Sequence, residues 1–260
     1  MSLSRILDGK VCIVVGASSP KGIGDATVRM LLDHGAKVVA AGIVMNDDII
    51  ARLLSGCTDS EIPRSNIDGQ ICDITDFGQC QALMEAVVDK FGKVDCLVNC
   101  AGIVEGCAFS EISSDKFDRM TNVNLKGTFN LCKAALQVFE RQGHGNIVNL
   151  SSLAAQRGGG LAGGAHYAAS KGGVISLTRS IAREYGPMNI RANIICPAMI
   201  DTEMLDGFSA KRQNEIVESI PLRRVGLPSE VAGTCLFLAS DLSGFITGAT
   251  IDVNGGAHIH

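Results

Sequence analysis

The chain has 260 residues, 46% hydrophobic and 19% charged, which suits one large α/β domain with ample material for a core. Its net charge of −4 argues against a nucleic-acid binder, which needs a basic footprint. The longest apolar stretches, Val11 to Val15 and Val38 to Ala41, stop far short of the ~20 residues of a membrane span, so no membrane partner is expected.

The start of the chain turns polar by Asp8, unlike an export signal, and the default expectation is a cytoplasmic protein. The ten cysteines form no Cys-x-x-Cys pair and no Cys/His cluster of zinc-site spacing, so no metal site is expected. Cys12, Cys96 and Cys196 fall inside predicted strands, where a thiol serves as a small hydrophobe. That usage suits a reducing compartment.

Lys10 to Val15 is a short apolar run ending in glycine, as a fully buried parallel strand requires. Gly16-Ala17-Ser18-Ser19-Pro20-Lys21-Gly22-Ile23-Gly24 follows and leads into a helical pattern from Asp25 to His34. Strand, glycine-rich turn and helix together make a phosphate cradle credible, because glycines admit a pyrophosphate and a helix start offers free N–H groups. A tight turn without a ligand is the alternative.

A second strand spans Ala36 to Gly42, and a helix runs from about Asn46 to Leu54. Ile67 to Cys72 reads as the third strand, followed by Asp73-Ile74-Thr75 and a helix from Asp76 to Phe91. Strand four, Val94 to Val98, ends in Asn99-Cys100-Ala101-Gly102. A long helical region covers Ser113 to Arg141 with an interruption near Asn124. Strand five is Asn146 to Leu150 and strand six Ile190 to Cys196; a helix from Ser229 to Ala239 and a strand near Thr250 to Val253 close the chain. Alternation at these spacings predicts a doubly wound parallel sheet of about seven strands, Rossmann-type, with helices on both faces, in one domain covering 1–260.

One helix organises the remainder. It carries Tyr167 and Lys171 four residues apart, on one face and one turn from each other. A free phenol titrates near ~10 and exchanges protons poorly at neutral pH; a neighbouring ammonium lowers that value, so the pair can act as an acid/base unit. Taken alone, such a pair also fits a surface tyrosine beside a solvated lysine. Upstream, strand five ends in Ser151-Ser152, which brings hydroxyls into the argument.

With these pieces placed, nearly the whole chain resembles the short-chain dehydrogenase/reductase family. Gly16, Gly22 and Gly24, with Ser18, Ser19 and Ile23 between or beside them, match the family's cofactor turn. Asp73 and Ile74 match the segment near the adenine, and Asn99, Ala101 and Gly102 match the turn after strand four. Asn124, Ser152, Tyr167 and Lys171 match the catalytic tetrad, while Pro197, Ile200 and Thr202 match the segment beside the nicotinamide carboxamide. The ending Asp252-Val253-Asn254-Gly255-Gly256 also resembles the family's.

Four departures fall on loops. Pro20-Lys21 is inserted in the phosphate turn, Val15 replaces a common Thr, and Ala198 replaces a Gly. Ser152 and Tyr167 lie fifteen positions apart where thirteen is common, which pushes the glycine patch 158–164 outward.

The resemblance implies an NAD(P)-dependent oxidoreductase moving a hydride between nicotinamide and a secondary alcohol or ketone. Tyr167 exchanges the proton, Lys171 lowers its pKa and holds the ribose, Ser152 fixes the substrate oxygen, and Asn124 holds a water linking Lys171 to solvent. Gly42 stands where an acidic residue marks NAD preference, and Lys21 lies where some relatives carry a basic residue for a 2′-phosphate, so NADP is favoured over NAD. A homotetramer is implied, supported indirectly by Phe129, Leu136 and Val138, which exceed one buried stripe.

The expected pocket walls are Ile103, Leu153, Leu161, Met199, Met204, Leu205 and Phe208, with a substrate lid over 199–225. Apolar walls favour a free, fairly apolar small-molecule substrate such as a hydroxysteroid or cyclic alcohol. A 3-oxoacyl-(acyl-carrier-protein) reductase is an alternative, disfavoured by the uncharged Gly143 and Met188 at the two positions expected to be basic; a polyol dehydrogenase is another. From a different class, a catalytically silent dinucleotide sensor is the competing reading.

Overall fold

The computed structural model describes residues 5–159, 163–205 and 210–260. Seven strands form one all-parallel sheet: β1 (Val11–Val15), β2 (Lys37–Gly42), β3 (Ile67–Ile71), β4 (Cys96–Asn99), β5 (Gly145–Leu150), β6 (Ile190–Pro197) and β7 (Thr250–Val253). Their order in space is β3-β2-β1-β4-β5-β6-β7, so the winding reverses between β1 and β4. In open sheets of this kind ligands bind at that reversal, outside the carboxyl ends of the strands.

The inner strands are buried on both faces, which explains their unbroken apolar runs. Alternate side chains of β1 feed two cores. Cys12 and Val14 pack with α1 (Ile23–Asp33), α2 (Asp47–Ser55) and α9 (Pro228–Ala239) on one face. Val11, Ile13 and Val15 pack with α3 (Phe77–Phe91), α5 (Gly127–Gln142) and part of α7 (Ala165–Tyr185) on the other. All ten cysteines are free thiols; Cys12, Cys96 and Cys196 are buried in strands as expected.

Several predicted helix starts carry the polar residue that closes them. Asn46 accepts the Ile49 N–H at 2.9 Å, and Asp76 accepts those of Gly78 and Gln79 at 2.8 and 3.3 Å. The interruption near Asn124 is a wide π turn over Asn122–Lys126, separating α4 (Ser114–Thr121) from α5. One short helix was not anticipated, α6 (Leu153–Arg157) just after β5, while α8 (Ala210–Ser219) falls within the expected lid segment 199–225. The ends of that segment are pinned together: Asp201 N–H donates to Gly226 O at 2.8 Å, and Gly226 N–H to Met199 O at 2.9 Å.

Candidate active site

A cleft of about 930 Å³ opens along the carboxyl edge of the sheet, where the winding reverses. At one end lies the glycine turn, contributing Gly16, Ser18, Ser19, Gly22, Ile23 and Gly24. Close backbone packing explains its composition. A Cβ on Gly24 would sit 2.2 Å from the Gly16 carbonyl oxygen, and one on Gly16 would sit 2.7 Å from Ala101 N. Gly16 also has φ +84°, which disfavours any L side chain.

The inserted Pro20-Lys21 is accommodated in a turn closed by Gly22 N–H on Ser19 O at 3.0 Å. Val15 needs no hydroxyl to join this turn to β4, because its carbonyl accepts the Cys100 N–H at 2.9 Å. Behind the turn, Arg52 donates to Ser18 O at 3.0 Å and pairs with Asp25, which also pairs with Arg29 at 2.7 Å. Burial pushes the Asp25 carboxyl up despite the opposing pull of both guanidinium groups. Nothing in the local pattern announced this strap, since Asp25 and Arg52 are 27 residues apart.

The middle of the cleft takes Asp73 and Ile74 from the end of β3 and Ala101 and Gly102 from the end of β4. Asn130 of α5 holds the first pair in place, donating to Ile74 O at 3.0 Å. Asn99 lies behind the lining: its side chain accepts the Ala101 N–H at 3.1 Å and donates to Thr128 at 3.0 Å.

At the other end stand Ser152, Tyr167 and Lys171. Ser152 heads α6 and its hydroxyl accepts the Ala154 N–H at 3.1 Å, so it caps a helix and lines the cleft at once. Tyr167 and Lys171 lie one turn apart on α7, as their spacing predicts. Ser151 fastens that helix to β5 through a 2.8 Å bond from its hydroxyl to Lys171 O.

The electrostatics differ from expectation. Burial pushes the Tyr167 phenol above its ordinary value, partly opposed by hydrogen bonding with Ser152. The Lys171 ammonium points instead to the Leu150 carbonyl, donating at 2.9 Å. Burial drives its own pKa down to about 8, and no carboxylate among the described residues is paired with it. The position of a Cβ on Gly102 would lie 3.1 Å from this ammonium and 3.2 Å from Asn124 Oδ1.

Asn124 is fully buried behind the lining. Its amide exchanges two bonds with Ile103, accepting the N–H at 2.8 Å and donating to the carbonyl at 2.9 Å. It thereby braces the loop after β4.

Pro197, Ile200 and Thr202 line the cleft as expected, whereas Lys21 is exposed and outside the lining. Among the expected walls, Ile103, Leu153 and Met199 face the cleft, and Leu205 is buried without lining it. Leu161, Phe208 and the Met204 side chain lie outside the described residues. Ile216 and Ile220 of the α8 region were missed as walls. Their signal was present, as two isoleucines four apart in a stretch whose other residues, Ala210 and Val217 aside, are polar. Arg157 was missed as well; it lines the cleft with its guanidinium donating to Ala257 O at 3.0 Å.

The residues present fit a nicotinamide dinucleotide. Gly22 heads α1 without any side-chain cap, leaving first-turn N–H groups unserved by the chain at the glycine turn. Lys171 is a buried ammonium without a carboxylate partner among the described residues, a donor suited to sugar hydroxyls at the far end of the same cleft.

A family model described as enoyl-(acyl carrier protein) reductase matches residues 16–258. An uncharacterized short-chain type dehydrogenase/reductase of Sinorhizobium fredii is 40% identical, over 98% of this chain and 100% of its own length. A 3-oxoacyl-(acyl-carrier-protein) reductase of Thermotoga maritima is 39% identical, over 96% of this chain and 98% of its own. A 3alpha-hydroxysteroid dehydrogenase of Mediterraneibacter gnavus is 34% identical, over 97% and 98%. Across the glycine turn, the phenol–lysine helix and both ends of the sheet, the chain belongs to the short-chain dehydrogenase/reductase family of NAD(P)-dependent oxidoreductases.

Proposed function

We propose that the protein interconverts a free, fairly apolar secondary alcohol and its ketone, with NADP as the favoured cofactor. The observation that carries this reading is the convergence of Ser152, Tyr167 and Lys171 on one cleft whose outer walls are Ile103, Val104, Leu153, Met199, Ile216 and Ile220. Apolar walls with a few convergent polar groups are what an apolar small molecule requires.

When bound, the nicotinamide supplies the hydride chemistry. Tyr167, held protonated by burial, donates its proton to the carbonyl oxygen in reduction and recovers it from the hydroxyl in oxidation. Ser152 hydrogen-bonds the same oxygen and fixes it beside the phenol. Lys171, titrating at about 8, changes charge close to working pH and so can pass protons on. Its ammonium also holds the ribose, turning from the Leu150 carbonyl as the sugar enters. The segment 199–225, pinned at its base, acts as the lid that excludes water over the substrate.

NADP is favoured because Gly42, at the tip of β2 and in the cleft lining, presents no carboxylate to repel a 2′-phosphate. Lys21 gives this choice less support than its sequence position promised, being outside the lining.

A carrier-bound thioester is the second reading, favoured by Arg157 in the lining and by the name of the Thermotoga relative. Gly143 and Met188 do not line the cleft, and the Arg157 guanidinium is already engaged. The deciding experiment is a turnover screen with NADPH and NADH across hydroxysteroids, cyclic alcohols, polyols and acetoacetyl thioesters. A carrier-bound thioester turned over far better than every free alcohol or ketone overturns the substrate proposal. A strong NADH preference overturns the cofactor proposal, and cofactor binding without turnover of any compound favours the sensor.

A further inference from the structure

His166, in the first turn of α7, is fully buried, yet neither ring nitrogen has a hydrogen-bond partner. Leaving buried polar groups unserved costs about 1–3 kcal/mol each, so an imidazole in this state calls for a physical reason. Cys107 and Glu105 stand beside it, and the ligand atoms of all three lie within 4.8 Å of one another. The arrangement is built into the backbone. Gly164 N–H donates to Glu105 O at 3.0 Å, which ties the loop after β4 to the residue before α7. A Cβ on Gly164 would sit 2.9 Å from both Cε1 and Nδ1 of His166 and 3.2 Å from Cys107 O, so glycine lets the imidazole lie against that loop.

We propose that Glu105, Cys107 and His166 form a site for a thiophilic divalent cation, Zn²⁺ by its chemistry, outside the catalytic cleft. None of the three lines the cleft. Thiolate, imidazole and carboxylate together are a zinc donor set, whereas Mg²⁺ and Ca²⁺ take oxygen ligands. With zinc–ligand bonds of about 2.0–2.3 Å, tetrahedral donors lie roughly 3.3–3.8 Å apart, so the cluster must contract by about 1 Å. The loop is open enough to do so: the Glu105 side chain is 33% exposed and Cys107 is half-buried.

Lys116 already holds Glu105 Oε1 at 3.0 Å, while Oε2, in a looser 3.9 Å ion pair with Arg119, is the oxygen that turns to the metal. Lys116 then orients the carboxylate as outer hydrogen bonds orient metal ligands elsewhere. On binding, the Cys107 thiol releases its proton to solvent and its sulfur donates an electron pair to the cation; nothing is oxidised or reduced. Water or another small donor takes the fourth position. Since His166 immediately precedes Tyr167, the cation fastens the 105–107 loop to the turn that carries the phenol.

The test is cobalt titration of the full chain after chelator treatment, with Co²⁺ as the spectroscopic stand-in for Zn²⁺. Saturation at one equivalent is expected, with a thiolate-to-cobalt charge-transfer band that Zn²⁺ abolishes. Cys107→Ser removes the band, and His166→Asn weakens cobalt binding by more than about 10²-fold, beyond the roughly 10–100-fold of outer-shell changes. Cys57→Ser, altering a thiol just after α2, leaves both unchanged. If His166→Asn does not fold, Cys107→Ser and Glu105→Gln decide the matter, since both positions reach solvent. A band that survives in Cys107→Ser, cobalt bound without a thiolate band, or no one-equivalent binding by the unaltered chain overturns the proposal.

Discussion

Replacing Lys171 with methionine should stabilise the folded protein at neutral pH while destroying its chemistry. Among the described residues the buried lysine's ammonium is hydrogen-bonded only to the Leu150 carbonyl, and burial lowers its pKa from 10.5 to about 8. That difference corresponds to about 3 kcal/mol of folding free energy lost to a protonated lysine in this site. The unfolded chain holds the proton more tightly, so between about pH 8 and 10.5 it binds more protons than the folded state, and stability rises with pH there. The cost is therefore full below about pH 8 and absent above 10.5. Methionine removes it but forfeits a hydrogen bond worth about 1 kcal/mol, leaving a net gain of about 2 kcal/mol at pH 7. Urea unfolding of both proteins at pH 7 and pH 10 measures this, because the difference between them cancels the other titrating groups. The advantage should shrink to near zero at pH 10. An equal advantage at both pH values, or a wild-type protein more stable at pH 7, would refute the reasoning. A positive result would identify Lys171 as a residue kept for chemistry at the expense of stability.

Tyr167→Phe should lower turnover about 10²-fold or more with little change in cofactor affinity, as isothermal titration and steady-state rates can show. Gly24→Ala drives a Cβ to 2.2 Å from the Gly16 carbonyl oxygen, so it should cost about 1–3 kcal/mol in thermal unfolding and weaken cofactor binding; an unchanged melting temperature would remove the packing argument. Gly42→Asp should move the ratio of kcat/KM for NADH over NADPH upward by about tenfold or more, since it introduces a ribose-diol acceptor that repels a 2′-phosphate. Light scattering should return four times 27.2 kDa. A monomer would end the tetramer expectation, which now leans on Phe129 at 46% exposed, because Leu136 and Val138 are already buried within the chain.

Much of the fold was legible in the chain itself. Unbroken apolar runs such as Val11–Val15 mark strands buried on both faces, and helix-capping residues such as Asn46 and Asp76 stand at fixed offsets from their helices. These signals are local, so a linear reading recovers them, including the break at Asn124 that proved to be a π turn. The same holds for the shared face of Tyr167 and Lys171, since helical periodicity acts over a single turn.

What only the tertiary structure decided depends on approach between distant segments. Spacing placed Lys171 beside the phenol, but the carbonyl it meets belongs to Leu150, and the depth of burial, a sum over neighbours from several elements, raises the Tyr167 pKa and lowers that of Lys171. Ile216 and Ile220 carried a visible pattern, yet which cavity they face depends on how residues 199 and 226 are pinned. The Arg52–Asp25 strap and the Glu105, Cys107 and His166 cluster left no mark in sequence spacing. Both join residues far apart in the chain, and such contacts are set by how strands and helices pack, which no local propensity encodes.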